Sequence, residues 1–146
     1  MFRGMAVSML AVVILSGCSN QEAIKKHTAS GKPEAEYPGK TKEQVKDALV
    51  SYCNQKGLSV FESTESLVIC GKQTDSVLAQ MLVGNSYSTP SMAKIRFTIA
   101  SVNNAPKVWS DMWIESQMPG GQLNQMPSKN NTDINSVQNM LDNLQP

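Results

Sequence analysis

The sequence predicts an α+β protein, a two-layer sandwich in which an antiparallel sheet carries an N-terminal and a C-terminal helix on one face. Three observations predict it. Apolar residues recur at helical spacing over 45–53 and again over 134–144, they alternate at strand spacing over 93–99, and turn-forming residues separate these blocks. A sheet with one apolar face is buried most simply by laying both helical stripes across that face.

The first helix is expected to open at Thr41, because Thr41-Lys42-Glu43-Gln44 has the spacing of a capping box. Val45, Ala48, Leu49, Tyr52 and Cys53 then form one stripe, and Gly57 suits the left-handed residue that ends a helix. Two short strands are expected at 58–62 and 66–71, joined by Ser63-Thr64-Glu65. That loop places Val60 opposite Val68 and Leu58 opposite Cys70. Cys70 thereby returns to the end of the helix, where Cys53 lies on the inward stripe. The register predicts a disulfide between Cys53 and Cys70, worth roughly 3 kcal/mol for a loop of this size.

Residues 76–84 read either as a short helix striped by Val77, Leu78, Met81 and Leu82 or as a buried strand, with the strand favoured. The polar, turn-rich segment 84–90 follows. In the next hairpin Ala93, Ile95, Phe97 and Ile99 alternate with Lys94, Arg96, Thr98 and Ala100, and 107–118 returns after a loop at Asn103-Asn104-Ala105-Pro106. That loop sets Ile99, Phe97 and Ile95 against Ser110, Met112 and Ile114 on the buried side. The other side pairs Lys94 with Glu115, Arg96 with Trp113 and Thr98 with Asp111, which offers an ion pair and a cation–π contact. Pro119-Gly120-Gly121 ends the strand, a loop is expected up to Asn131, and Asn131 or Thr132 can cap a last helix carrying Ile134, Val137, Leu141 and Leu144.

Ahead of the domain, Arg3 and the apolar run 5–15 have the form of an export signal, and the run is shorter than the roughly 20 apolar residues a membrane span requires. Leu15-Ser16-Gly17-Cys18 resembles the lipobox of bacterial lipoproteins. The resemblance implies cleavage before Cys18, a diacylglyceryl thioether on its sulfur and acylation of the new amine, an anchor strengthened by about 0.8 kcal/mol per buried CH2. Ser19-Asn20 lacks the Asp that often retains such proteins in the inner membrane, which favours the outer membrane; the periplasmic face is expected rather than the cell surface. The expected organisation is a signal peptide at 1–17, a lipidated cysteine and flexible tether at 18–40, and one domain at 41–146. Residues 19–40 hold only Ile24 and Tyr37 as large apolar side chains, too few to offset the entropy of ordering.

Loss of Arg3 with the signal leaves the basic residues in balance with the 12 acidic ones, so no nucleic-acid partner is expected. His27, the only histidine, lies in the tether, so neither a histidine triad nor a histidine metal cluster can form in the domain. Asp111 and Glu115 share a strand face about 13 Å apart, too far for a glycosidase pair. The chain is therefore expected to be no enzyme and to need no cofactor. Gln117-Met118-Pro119 and Gln125-Met126-Pro127 form a near-repeat whose thioethers suit Cu(I), although methionine also fills irregular core gaps.

Trp109 and Trp113 fall beside Arg96 on the face away from the helices. Aromatic residues and arginine dominate binding hot spots, so Trp109, Trp113, Arg96 and, in the 84–90 loop, Tyr87 are the candidate partner-binding residues. The competing reading is that the tether, the 119–131 loop or residues 76–90 cover this face. The function expected is that of an envelope lipoprotein binding a protein partner. The alternatives are a phage or plasmid exclusion lipoprotein and a periplasmic small-ligand or copper carrier.

Overall fold

A computed structural model describes residues 21–74 and 90–146. Strands β1 (Glu34–Glu36), β2 (Ser59–Thr64), β3 (Leu67–Gln73), β4 (Met92–Val102), β5 (Ala105–Gln117) and β6 (Leu123–Pro127) form one antiparallel sheet, with helices α1 (Lys42–Gln55) and α2 (Asn131–Asn143). The spatial order is β1-β5-β4-β3-β2, and β6 lies alongside the later half of β5. The predicted α+β sandwich is the observed one. Val45, Leu49 and Cys53 of α1 and Val137 and Leu141 of α2 close over Val68, Cys70, Phe97, Ile99 and Val108 of the sheet.

The capping box of α1 is formed, with the Gln44 N–H donating to Thr41 Oγ1 at 3.1 Å and the Thr41 N–H to Gln44 Oε1 at 2.9 Å. At the other end Gly57 takes φ 68°, a conformation that a side chain would strain. Cys53 and Cys70, both fully buried, are joined in a disulfide with Cα atoms 6.3 Å apart.

The hairpin registers differ from those expected. Val60, not Leu58, lies opposite Cys70, and Ser63 lies opposite Val68, because strand pairing continues to Thr64 and Leu67 and a bulge falls between Val60 and Glu62. Between β4 and β5 only Asn103 and Asn104 turn the chain, both at positive φ as a two-residue hairpin requires, so Ala105 and Pro106 belong to the strand. Ile95 therefore faces Met112, Phe97 faces Ser110 and Ile99 faces Val108. A displacement of two residues keeps every side chain on its predicted face. Gly71 has a separate role, since a Cβ there would lie 2.4 Å from the Ala93 carbonyl oxygen.

Two segments read as loop or tether are ordered. Residues 119–131 contain β6, paired from Trp113↔Pro127 to Gln117↔Leu123. The expected flexible tether is docked from Gln21 onward. Its β1 pairs with β5 from Glu34↔Trp109 to Glu36↔Lys107, the Ser110 N–H donates to Pro33 O, and the Tyr37 hydroxyl, in a buried ring, donates to Leu141 O at 2.7 Å. Composition counts apolar side chains alone, whereas backbone hydrogen bonds hold this segment. Residues 75–89, which include the strand-or-helix choice at 76–84 and Tyr87, lie outside the described residues, as does Cys18.

Candidate functional site

Among the described residues no helix covers the second face of the sheet. There β4 presents Lys94, Arg96 and Thr98, β5 presents Lys107, Trp109, Asp111, Trp113 and Glu115, and β3 presents Ile69. The bulge in β2 leaves Phe61 outside the ladder and turns its ring, 48% exposed, onto this face, where Lys94 Nζ lies 4.6 Å from its centroid.

Cations and rings alternate across the surface. Arg96 lies over Trp113 at 5.6 Å and Lys107 over Trp109 at 5.4 Å. Each cation also meets a carboxylate: Lys94 Nζ to Glu115 Oε1 at 2.6 Å, Arg96 Nη2 to Asp111 Oδ2 at 3.3 Å, and Lys107 Nζ to Glu34 at 3.0 Å. Lys32 of the docked segment adds a second cation to Asp111 at 2.7 Å. The expected Lys94–Glu115 and Arg96–Trp113 contacts exist although neither pair is directly opposed. Lys94 faces Trp113 and Arg96 faces Asp111, and the long side chains reach the diagonal neighbour.

Glu115 is the most connected group, accepting from Trp113 Nε1 at 3.3 Å and Gln125 Nε2 at 2.9 Å besides Lys94. The hydrogen bond from Lys94 outweighs partial burial and holds its carboxyl below the ordinary 4.5. For Asp111 burial acts to raise the pKa, but the bonds from Lys32 and Arg96 overcome it and the net direction is down. A depressed carboxylate pKa stabilises the fold fully above the unfolded value, and that stability is lost as pH falls through the folded one. The urea midpoint should therefore fall steadily as pH drops below the ordinary carboxylate value of 4.5, and Glu115→Gln should flatten that dependence. A midpoint equal at pH ~3 and pH ~6 would show that these pairs contribute nothing.

Phe61, Ile69, Arg96, Trp113, Gln125 and Pro127 rim a shallow trough of about 510 Å³. Arg96 and Trp113 thus meet, as expected. Trp109 belongs to the neighbouring cluster with Lys107 and Glu34. Neither β1 nor β6 covers the trough, because both extend the sheet sideways. Family models, curated proteins and solved structures give no match to this chain.

A larger cleft of about 660 Å³ runs between the helices, but its walls are mainly short hydroxyl and amide side chains with Tyr52 as the one ring. The trough is the better candidate, because its rings and cations are already held in place. Among the described residues no three His, Cys, Asp or Glu side chains converge to hold a metal ion. The methionine near-repeat does not gather its sulfurs. Met126 faces Ile114 while Met118 lies beyond Gln117, about 13 Å further along the strand direction. Phe61 was not legible as a site residue, since a bulge decides its direction.

Proposed function

We propose that this protein is a non-enzymatic envelope lipoprotein, anchored through acylated Cys18 to the outer membrane, that binds a protein partner through the open face of its sheet. The observation carrying this reading is the Phe61–Lys94 and Arg96–Trp113 stacking around a trough left open by the described residues. Preformed aromatic and guanidinium groups bury area with little loss of side-chain freedom, which is the composition of hot spots. The carboxylates beside them are engaged by cations and so are poorly placed to act as a general base. Leu15-Ser16-Gly17-Cys18 supports the anchor.

A photo-crosslinking residue in place of Glu62, beside Phe61, should capture one defined envelope protein in intact cells. Phe61→Ala combined with Arg96→Gln should reduce that adduct at least tenfold while the urea midpoint changes by less than the effect of about 1 kcal/mol. A defined adduct that survives both substitutions places the partner elsewhere and overturns the reading. Cys18→Ala should release the protein from the membrane fraction, and continued retention would remove the anchor.

A further inference from the structure

We infer that the tip of the β5–β6 hairpin rests in the lipid surface as a second membrane contact beside the acylated cysteine. This rests on the anchor proposed above and adds the orientation of the domain. Residues 116–128 contain no Asp, Glu, Lys or Arg in a chain that is 17% charged. Of the three large hydrophobic residues exposed among those described, Met118 and Leu123 both belong to this tip, and Leu123 at 61% is the most exposed.

The tip is also structured. The Met118 N–H donates to Gln122 O at 2.7 Å and the Gly121 N–H to Met118 O at 3.0 Å, with Gly120 and Gly121 at positive φ. Such a turn presents its apolar side chains without an ordering cost on contact.

The position of the chain's start says what meets this tip. Gln21 Nε2 donates to Lys129 O, and Asn131 Nδ2 donates to Glu22 O at 2.8 Å, so the docked segment begins beside the link between β6 and α2. Two residues, Ser19 and Asn20, separate Gln21 from Cys18, a reach of at most about 10 Å over three Cα steps. Leu123 lies six residues before Lys129 along β6, on the order of 20 Å from it at strand rise. Traced backwards, the docked segment leaves the Asn103-Asn104 end of the sheet, where the Tyr37 N–H donates to Pro106 O, passes Gln138 at Glu34 and reaches Asn131 at Glu22, so it heads for the end that carries the hairpin tip. A bilayer holding the acyl chains of Cys18 thus lies toward the tip's end of the sheet. Its lack of charge means that insertion should not depend on anionic lipid.

The test uses the acylated full-length protein carrying Gln122→Cys labelled with an environment-sensitive fluorophore. Cys53 and Cys70 are bonded to each other and Cys18 is acylated, so the label has one thiol. On vesicles of phosphatidylcholine, and equally with phosphatidylglycerol added, the label should shift to the blue. A headgroup nitroxide lipid should quench it several-fold more than a label at Glu65→Cys. Leu123→Asp with Met118→Asp, both at exposed positions, should abolish the difference. Protein that floats with the vesicles while its tip stays as wet as position 65 overturns this inference and leaves the anchor standing. Protein that fails to float overturns both. Shielding of the label that requires added envelope protein, and not lipid, overturns it in favour of a protein contact.

Discussion

Replacing Cys53 and Cys70 together by alanine lowers the free energy of unfolding by about 3 kcal/mol, with a fall in Tm of roughly 10 °C. The bond spans 17 residues of sequence, from the last turn of α1 to the middle of β3. Without it the unfolded chain regains the freedom of that loop, which contains all of β2. Both side chains are fully buried in the core, so the double variant also loses the packing of two sulfurs. Reduction of the unsubstituted protein removes the same constraint without changing a side chain. Urea unfolding with and without reductant should therefore shift the wild-type midpoint and leave the double variant where it is. A reduced wild-type protein as stable as the oxidised one would show that the closed loop contributes no stability.

The same bond shows what the sequence makes legible. Cys53 and Cys70 could be paired from faces alone, even though the expected partner of Cys70 was Leu58 and the observed one is Val60. Periodicity assigns a residue to a face, and a shift of two along a strand preserves that assignment. Arg96, Trp113, Asp111 and Glu115 were placed together for this reason. The turns that set the register were harder to read. Asn103 and Asn104 accept positive φ, which admits the two-residue turn as well as a longer loop. The bulge at Phe61 has no periodic signal. β6 is polar and reads as loop, and it becomes a strand because the later half of β5 leaves an unpaired edge beside it.

The docked N-terminal segment was the largest departure, and its cause lies in three amides of α2. Asn131, Asn135 and Gln138 share one side of the helix at four- and three-residue steps, a pattern that reads as a solvated face. Here they act as peptide groups. The Lys25 N–H donates to Asn135 Oδ1 while Asn135 Nδ2 donates to Ala23 O, both at 2.9 Å. The Glu34 N–H donates to Gln138 Oε1 at 3.0 Å while Gln138 Nε2 donates to Glu34 O at 2.9 Å. Both Asn135 and Gln138 are buried, at 7% and 5% exposure. A segment too polar to bury itself is thus paired as a strand would be, with helix side chains supplying the partner edge.

Gln138→Ala should therefore release this segment before it affects the core. The substitution removes both bonds to Glu34 and a third to Asp142 at 3.0 Å, and leaves the N–H and carbonyl of Glu34 without their partners in a partly buried position. At about 1 kcal/mol for each bond, and more where a buried group stays unmet, docking should weaken by about 2–4 kcal/mol. Amide exchange over 22–36 should accelerate roughly 30- to 700-fold, at about tenfold for each 1.4 kcal/mol. Amides of β3 and β4 should keep their protection, because the disulfide and the Phe97 layer do not depend on Gln138. Uniform acceleration across the sheet would instead make the segment part of the cooperative core. On the anchor and tip contact proposed above, the distinction sets the domain's reach. Docking would hold the domain within three residues of Cys18, whereas release up to Lys40 would give about 22 residues of coil, a range of roughly 25 Å from the lipid, and would free the hairpin tip from the surface.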